Sequence, residues 1–217
     1  MRDVRRHERR DMPIEPPKAL LFDLGGVLVD IDFARALEAW APHSSLSLAQ
    51  LREAFKHDLE YEQHERGEIG ATEYFDHLAT TLQLATTREE IGRGWNAIFV
   101  GEIVEARKMV EAMREVVPCY AFTNTNASHM ATWTRLFPGV VGAFDRIFAS
   151  HEMGLRKPEP AAFERICQLT GVKAASTVFF DDLPENVRAA INFGLQAYLV
   201  RSPKDIVHSL RAVGLDA

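Results

Sequence analysis

The chain has 217 residues, a formal net charge of −6 and 47% apolar residues, which suits one large domain or one domain carrying a smaller insert. The acidic balance argues against a general nucleic-acid binder, which would present a basic face. No apolar run reaches the roughly 18 residues that a membrane-spanning helix needs. The two cysteines, Cys119 and Cys167, lie in apolar stretches without metal-ligand spacing. They are expected to be buried free thiols in a reduced, cytoplasmic setting.

Residues 1–17 carry five arginines interleaved with Asp3, Glu8, Asp11 and Glu15 and end in Pro16-Pro17. Without apolar periodicity or a following apolar stretch, they read as a flexible arm rather than a targeting segment. Lys18 to Phe22 is a buried strand. From Asp32 to about Val100 the pattern predicts helices without strands. Phe33, Leu37 and Trp40 share a helical face, as do Leu48, Leu51, Phe55 and Leu59, and then Tyr74, Phe75, Leu78 and Leu82. Thr72 is expected to be an N-cap, Thr87 with Glu90 a capping box, and Gly67 and Gly70 to bracket a turn.

Strand and helix then alternate. The spacing predicts a helix from Glu102 to Val116, a strand from Cys119 to Phe122, a helix from Ser128 to Leu136 and a strand from Ile147 to Ala149. A helix from Pro160 to Leu169 is closed by Gly171. A strand from Thr177 to Phe180, a helix from Pro184 to Phe193 and a strand from Gln196 to Val200 follow. Ser202 caps a last helix opened by Pro203. Such alternation implies an α/β fold with a Rossmann-like parallel sheet and helices on both faces. The core is expected at 18–31 and 101–217. The helical block at 32–100 is an insert after the first strand, at the carboxyl edge where open α/β sheets bind ligands, and is placed to act as a lid.

The residues that carry chemistry stand at the expected strand ends. Asp23 follows Ala19-Leu20-Leu21-Phe22 and precedes Leu24-Gly25-Gly26. Taken alone, such an aspartate is more often a turn former, but a carboxylate held there can also attack phosphorus. The two glycines let the backbone turn close to an anion. Thr123 and Asn124 end a second strand, where a hydroxyl and backbone N–H groups can hold a phosphate or simply cap the next helix. Lys157, before Pro158, would neutralise charge building up in transfer, whereas Arg156 is expected to face solvent. Asp181 and Asp182 end a later strand. Adjacent carboxylates repel unless a cation or donors offset them, and Mg²⁺ prefers such oxygen ligands. Asn186 is placed to orient them.

Together, Asp23-Leu-Gly-Gly-Val-Leu-Val-Asp30, Thr123-Asn124, Lys157-Pro158 and Phe179-Phe180-Asp181-Asp182 resemble the four motifs of the haloacid dehalogenase superfamily, over Lys18 to the C-terminus. The insert is similar to that superfamily's C1 cap. Within the superfamily, His64-Glu65-Arg66-Gly67-Glu68-Ile69, Gly94-Trp95 and Thr-Asn-Thr-Asn look most like the bacterial α-D-glucose-1-phosphate phosphatases. The resemblance implies a Mg²⁺-dependent phosphatase of small phosphomonoesters, with sugar phosphates foremost. Asp23 would be nucleophile and metal ligand, and Lys157 would steady nucleophile and phosphate. Thr123, the Asn124 amide and Gly26 would hold the phosphate. The Gly25 carbonyl, Asp182, Asp181 and Asn186 would complete the metal site.

Gly25 departs from the pattern. Most phosphatases of the superfamily carry there a second aspartate that protonates the leaving oxygen and then activates water, an effect typically worth about 10²–10⁴-fold. Three readings stay open. The substrate needs little protonation, or water or an insert residue supplies the proton, with His64 and Glu65 as candidates. Alternatively, the protein is a 2-haloacid dehalogenase, whose halide leaves without a proton, although the acidic pair is retained. In the third reading it is a phospho-ligand-binding protein with little turnover. A receiver domain fits less well, because there the acidic pair comes first along the chain. Trp40, Phe55, Tyr61, Trp95 and Phe99 are expected to fill the core of the insert, with one or two facing the substrate.

Overall fold

A computed structural model describes residues 17–216; the expected N-terminal arm, except Pro17, lies outside the described residues. The elements in chain order are β1 (Ala19–Phe22), β2 (Val29–Ile31), α1 (Ala34–Trp40), α2 (Leu48–Ala54), α3 (Leu59–Glu65), α4 (Ala71–Thr81), α5 (Arg88–Trp95) and β3 (Phe99–Glu102). After these come α6 (Val104–Arg114), β4 (Cys119–Thr123), α7 (Ala127–Leu136), α8 (Pro138–Gly142), β5 (Arg146–Ala149) and α9 (Ser150–Met153). The chain closes with α10 (Pro160–Thr170), β6 (Thr177–Asp181), α11 (Pro184–Phe193), β7 (Gln196–Leu199) and α12 (Pro203–Ala212).

Five strands form one sheet in the order β5-β4-β1-β6-β7, with every pairing parallel. The α/β fold with a Rossmann-like parallel sheet is the one the strand-helix alternation implies. β1 is central because all four of its side chains are apolar and can be buried from both sides. Side chains alternate between the two faces. Leu20, Phe22, Cys119, Ala121, Val178 and Phe180 join the core under α6 and α12. Leu21, Phe122 and Phe179 meet Phe163 and Ile166 of α10 and Ala190 of α11 on the opposite face. Phe22 stacks on Phe180 across β1 and β6 at 4.7 Å.

Helices α1 to α5 lie between β2 and β3 in sequence and have a core of their own. Trp40 and Trp95 stack at its centre with their planes 6° apart, and the Trp40 indole N–H donates to the Ile91 carbonyl at 3.1 Å. Gly94 is fixed by this stack, since a Cβ there would run into the Trp40 ring. Phe99 borders both this core and the core under α6.

Several local expectations are corrected. Val29–Ile31 and Phe99–Glu102 form an antiparallel two-stranded sheet, so the region up to Val100 is not purely helical. Because Glu102 is spent on β3, the next helix starts at Val104. Gly70, not Thr72, is the N-cap of α4. Thr87 caps α5 by accepting from the Glu90 N–H, but the Glu90 carboxylate pairs with Arg93, so only this half of the expected capping box forms. The short α8 and α9 carry too few residues to show a period. Cys119 is buried but Cys167 is only half-buried, and both are free thiols. Among the described residues, no helix is long and apolar enough to cross a membrane.

Candidate active site

The carboxyl ends of β1, β4 and β6 lie side by side. Phe22 is in register with Ala121 on one flank and Phe180 on the other, so Asp23, Thr123 and Asp181 leave the sheet at one edge. The Asp23 N–H donates to the Phe180 carbonyl at 2.8 Å, which fixes where its side chain starts. Lys157 reaches the same point from the loop between α9 and α10. Its ammonium lies 2.7 Å from Asp23 Oδ1 and 2.8 Å from Asp181 Oδ2, and it donates to the Phe122 carbonyl at 2.9 Å. All three Lys157 donors thus have acceptors, which is what a cation only 1% exposed requires.

The surroundings hold Lys157 in place. Asn124 Nδ2 donates to the Lys157 carbonyl at 2.9 Å, and Asn124 Oδ1 accepts from the Lys157 N–H at 2.8 Å. Asp181 is fully buried. Besides Lys157, it accepts from the Leu183 N–H at 2.9 Å and from Asn186 Nδ2 at 3.0 and 3.2 Å. Its oxygens are therefore already engaged by donors. Asn186 gives its N–H₂ to Asp181 and keeps its carbonyl oxygen as the atom it can offer a cation.

Asp182, half-buried, is the more open of the acidic pair. Asp23, Asp181 and Asp182 offer carboxylate oxygens that all lie within 4.8 Å of one another. The crowding shows in their acidities. Burial first, and then the neighbouring Asp181 and Asp182, push Asp23 up to about 7 against the opposing pull of Lys157. Burial and Asp181 push Asp182 up to about 6. Lys157 itself is raised, because Asp181 and Asp23 together outweigh the desolvation that opposes them. Clustered carboxylates this unwilling to ionise together, all hard oxygen donors, suit a divalent cation such as Mg²⁺. Gly26 completes this floor. It has a φ of 72°, and any side chain there would collide with the Asp182 carboxylate.

A cavity of about 320 Å³ opens above these residues. Val29, Ile31 and Phe99 line it from the β2–β3 side, and His57, Tyr61 and Glu65 line it from the loop before α3 and from α3 itself. Gly25, Thr123 and Asn124 face the same space. A Cβ at Gly25 would stand 3.0 Å from Ile31 Cδ1, a contact that a small shift of the Ile31 side-chain end would relieve.

Two expectations are overturned here. Arg156 does not face solvent: its side chain is 14% exposed and pairs with Glu65 at 2.8 Å and Glu62 at 3.0 Å, tying the loop before Lys157 to α3. His64 does not line the cavity. It is buried, stacks on Tyr74 at 4.6 Å and turns Nδ1 toward the Ile69 carbonyl. Glu65, its neighbour, does reach the cavity, because the two adjacent positions project from α3 in different directions. His57 and Arg156 are cavity residues that sequence reasoning missed. The one signal for His57 was its place just before Asp58, whose side chain caps α3 through the Tyr61 N–H at 3.0 Å.

A family model described as haloacid dehalogenase-like hydrolase matches residues 17–194. The chain is 24% identical over 188 residues to a D-ribitol-5-phosphate phosphatase of Bacteroides thetaiotaomicron, covering 83% of this chain and 90% of that one. It is 30% identical over 184 residues to a sesquiterpene phosphatase of Aspergillus oryzae, covering 82% and 87%. Among solved structures, a haloacid dehalogenase family enzyme of Bacteroides thetaiotaomicron, in complex with magnesium and inorganic phosphate, superposes with a TM-score of 0.74. It is 28% identical, with 84% of this chain and 93% of that one covered.

Proposed function

The chain belongs to the haloacid dehalogenase-like hydrolases, and from that membership we propose that it is a Mg²⁺-dependent phosphatase in which Asp23 attacks a small phosphomonoester. The single observation that carries this reading is the placement of one buried ammonium, Lys157, between the carboxylates of Asp23 and Asp181 with Asp182 alongside. A Mg²⁺ ion held by Asp23, Asp182 and the Gly25 carbonyl, with Asn186 and Asp181 behind them, would supply neutralisation of phosphate charge.

The protein's own residues do the rest. Lys157 keeps the Asp23 oxygen aimed and offsets charge as the phosphoryl group moves. The Thr123 hydroxyl and the Asn124 N–H, at the end of β4 and lining the cavity, would hold phosphate oxygens together with the Gly26 backbone. Transfer forms an aspartyl phosphate on Asp23 and releases the alcohol, and water then cleaves the acyl phosphate. The insert at 32–100 serves as a cap, excluding water from the cavity while the phosphoryl group is in flight. Arg156, Glu65 and Tyr61 give its inner wall polar groups that suit the hydroxyls of a sugar or polyol phosphate, and the relation to a ribitol-phosphate phosphatase supports this substrate class. The test is phosphate release from a panel of sugar and polyol phosphates with and without Mg²⁺. Metal-independent release, or none from any member, would remove the reading.

A further inference from the structure

The cavity has no proton-carrying side chain at position 25, yet an ester leaving oxygen must be protonated and the attacking water deprotonated. We propose that His57, at the entrance to α3, is the catalytic acid and base of this site. The inference rests on the phosphatase reading above.

The ring stands at the wall of the cavity. His57 lines the same cavity as Asp23 and Gly25. It stacks on Tyr61 with centroids 4.1 Å apart and planes 9° apart, and it meets Phe33 edge-on at 5.6 Å and Phe55 at 6.0 Å. The exposed imidazole thus stands among three aromatic rings at the wall of the cavity. The site's other titratable groups are committed elsewhere. Asp23 is the nucleophile, and Asp182 belongs to the cation site. Lys157 is saturated by Asp23, Asp181 and the Phe122 carbonyl. Glu65 accepts from Arg156 Nε at 2.8 Å and from the Tyr61 hydroxyl, so its oxygens are tied to those two donors, and Tyr61 is held as its donor. His129 is buried, with Nε2 on the Trp95 carbonyl at 3.0 Å and Nδ1 on Asn126 at 3.1 Å.

The charged and titratable groups facing His57 are Arg156, Asp58 and Glu185, besides Tyr61. Desolvation at the cavity mouth and the Arg156 charge pull the imidazole below its usual value, with Asp58 and Glu185 opposing. A bound phosphate dianion adds a further pull toward the protonated ring.

In the first half-reaction Asp23 Oδ bonds to phosphorus, and the ester P–O bond breaks with its electron pair going to the leaving oxygen. The His57 imidazolium gives that oxygen its proton. In the second half-reaction the neutral imidazole takes a proton from the water that attacks the aspartyl phosphate. Inorganic phosphate leaves, Asp23 is regenerated as a carboxylate and His57 is again imidazolium.

The test compares an aryl phosphate, whose leaving group needs little protonation, with an alkyl phosphate, whose leaving group does, in wild type, His57→Gln and Glu65→Gln with Mg²⁺ present. His57→Gln should lose on the order of 100-fold more on the alkyl than on the aryl ester. Imidazole added to His57→Ala should recover part of the alkyl activity. The alkyl rate should fall as pH rises through the His57 titration followed by NMR. Equal losses on both esters, no loss, or a leaving-group-dependent loss in Glu65→Gln instead, would overturn the assignment. A wild type that cleaves neither ester would instead remove the phosphatase reading on which it stands, and the assignment with it.

Discussion

The side-chain amide of Asn124 clasps the main chain of Lys157 from both sides, donating to its carbonyl at 2.9 Å and accepting from its N–H at 2.8 Å. This is the pairing a neighbouring strand would make, performed by one side chain at the end of β4. It joins the loop that carries the ammonium to the sheet that carries the carboxylates. Asn124→Ala leaves both main-chain groups of Lys157 without these partners. It should cost about 1–3 kcal/mol of stability and, by letting Lys157 drift, reduce phosphate release by on the order of 100-fold. Urea unfolding and steady-state kinetics read the two effects separately. Retained stability with retained rate would contradict the role.

Lys157 is a buried cation between two buried carboxylates. Lys157→Met removes one partner and leaves the others uncompensated, which should cost about 3–5 kcal/mol at pH 8. The cost should shrink near pH 5, where Asp23, raised to about 7 by burial and its acidic neighbours, already carries a proton. Denaturant midpoints at the two pH values measure the difference, and an equal cost at both would count against it.

The same acidities set the metal dependence. In the folded chain Asp23 stands at about 7 against 3.8 for an unperturbed aspartate, and Asp182 at about 6. Between these limits the folded state holds more protons than the unfolded one, so metal-free stability should fall as pH rises from about 4 through 7. A cation takes the place of those protons. Mg²⁺ should therefore raise Tm more at pH 8 than at pH 5.5, as differential scanning fluorimetry would show. A rise independent of pH would place the metal elsewhere.

At the centre of the helical insert, Gly94 lies against Trp40, which stacks on Trp95. Gly94→Ala forces a methyl into that stack and should cost about 1–3 kcal/mol, visible in the near-ultraviolet dichroism of the tryptophans. An unperturbed spectrum and midpoint would show that the insert core yields more easily than this contact implies.

Much of this was legible in the sequence, and the exceptions have physical causes. β1 could be read because Ala19-Leu20-Leu21-Phe22 is apolar on both faces, and its carboxylate then marks the sheet edge. β3 could not. Phe-Val-Gly-Glu has no clear period, and its pairing with β2 places Gly101 opposite Asp30, a partner set by the path of the whole insert. The burial of Arg156 is hidden from the sequence for a similar reason, since its partners Glu62 and Glu65 lie about 90 residues upstream. His64 and Glu65 sit next to each other in sequence, but helical geometry turns one onto Tyr74 and the other into the cavity. The positions of Lys157 and of the Asp181-Asp182 pair followed from motif order alone. That Asp181 serves as the anchor for Lys157 and Asn186 needed the distances.

Asp23 as the attacking carboxylate of a Mg²⁺-dependent phosphatase is directly testable. The most direct measurement is phosphate release from an aryl phosphate with and without Mg²⁺, for wild type and Asp23→Asn, with each protein shown to be folded. Metal-dependent release by wild type and its loss in Asp23→Asn are expected, with mass spectrometry of quenched wild-type turnover placing a phosphoryl group on Asp23. Full activity in Asp23→Asn, or undiminished release in the absence of metal, would contradict it.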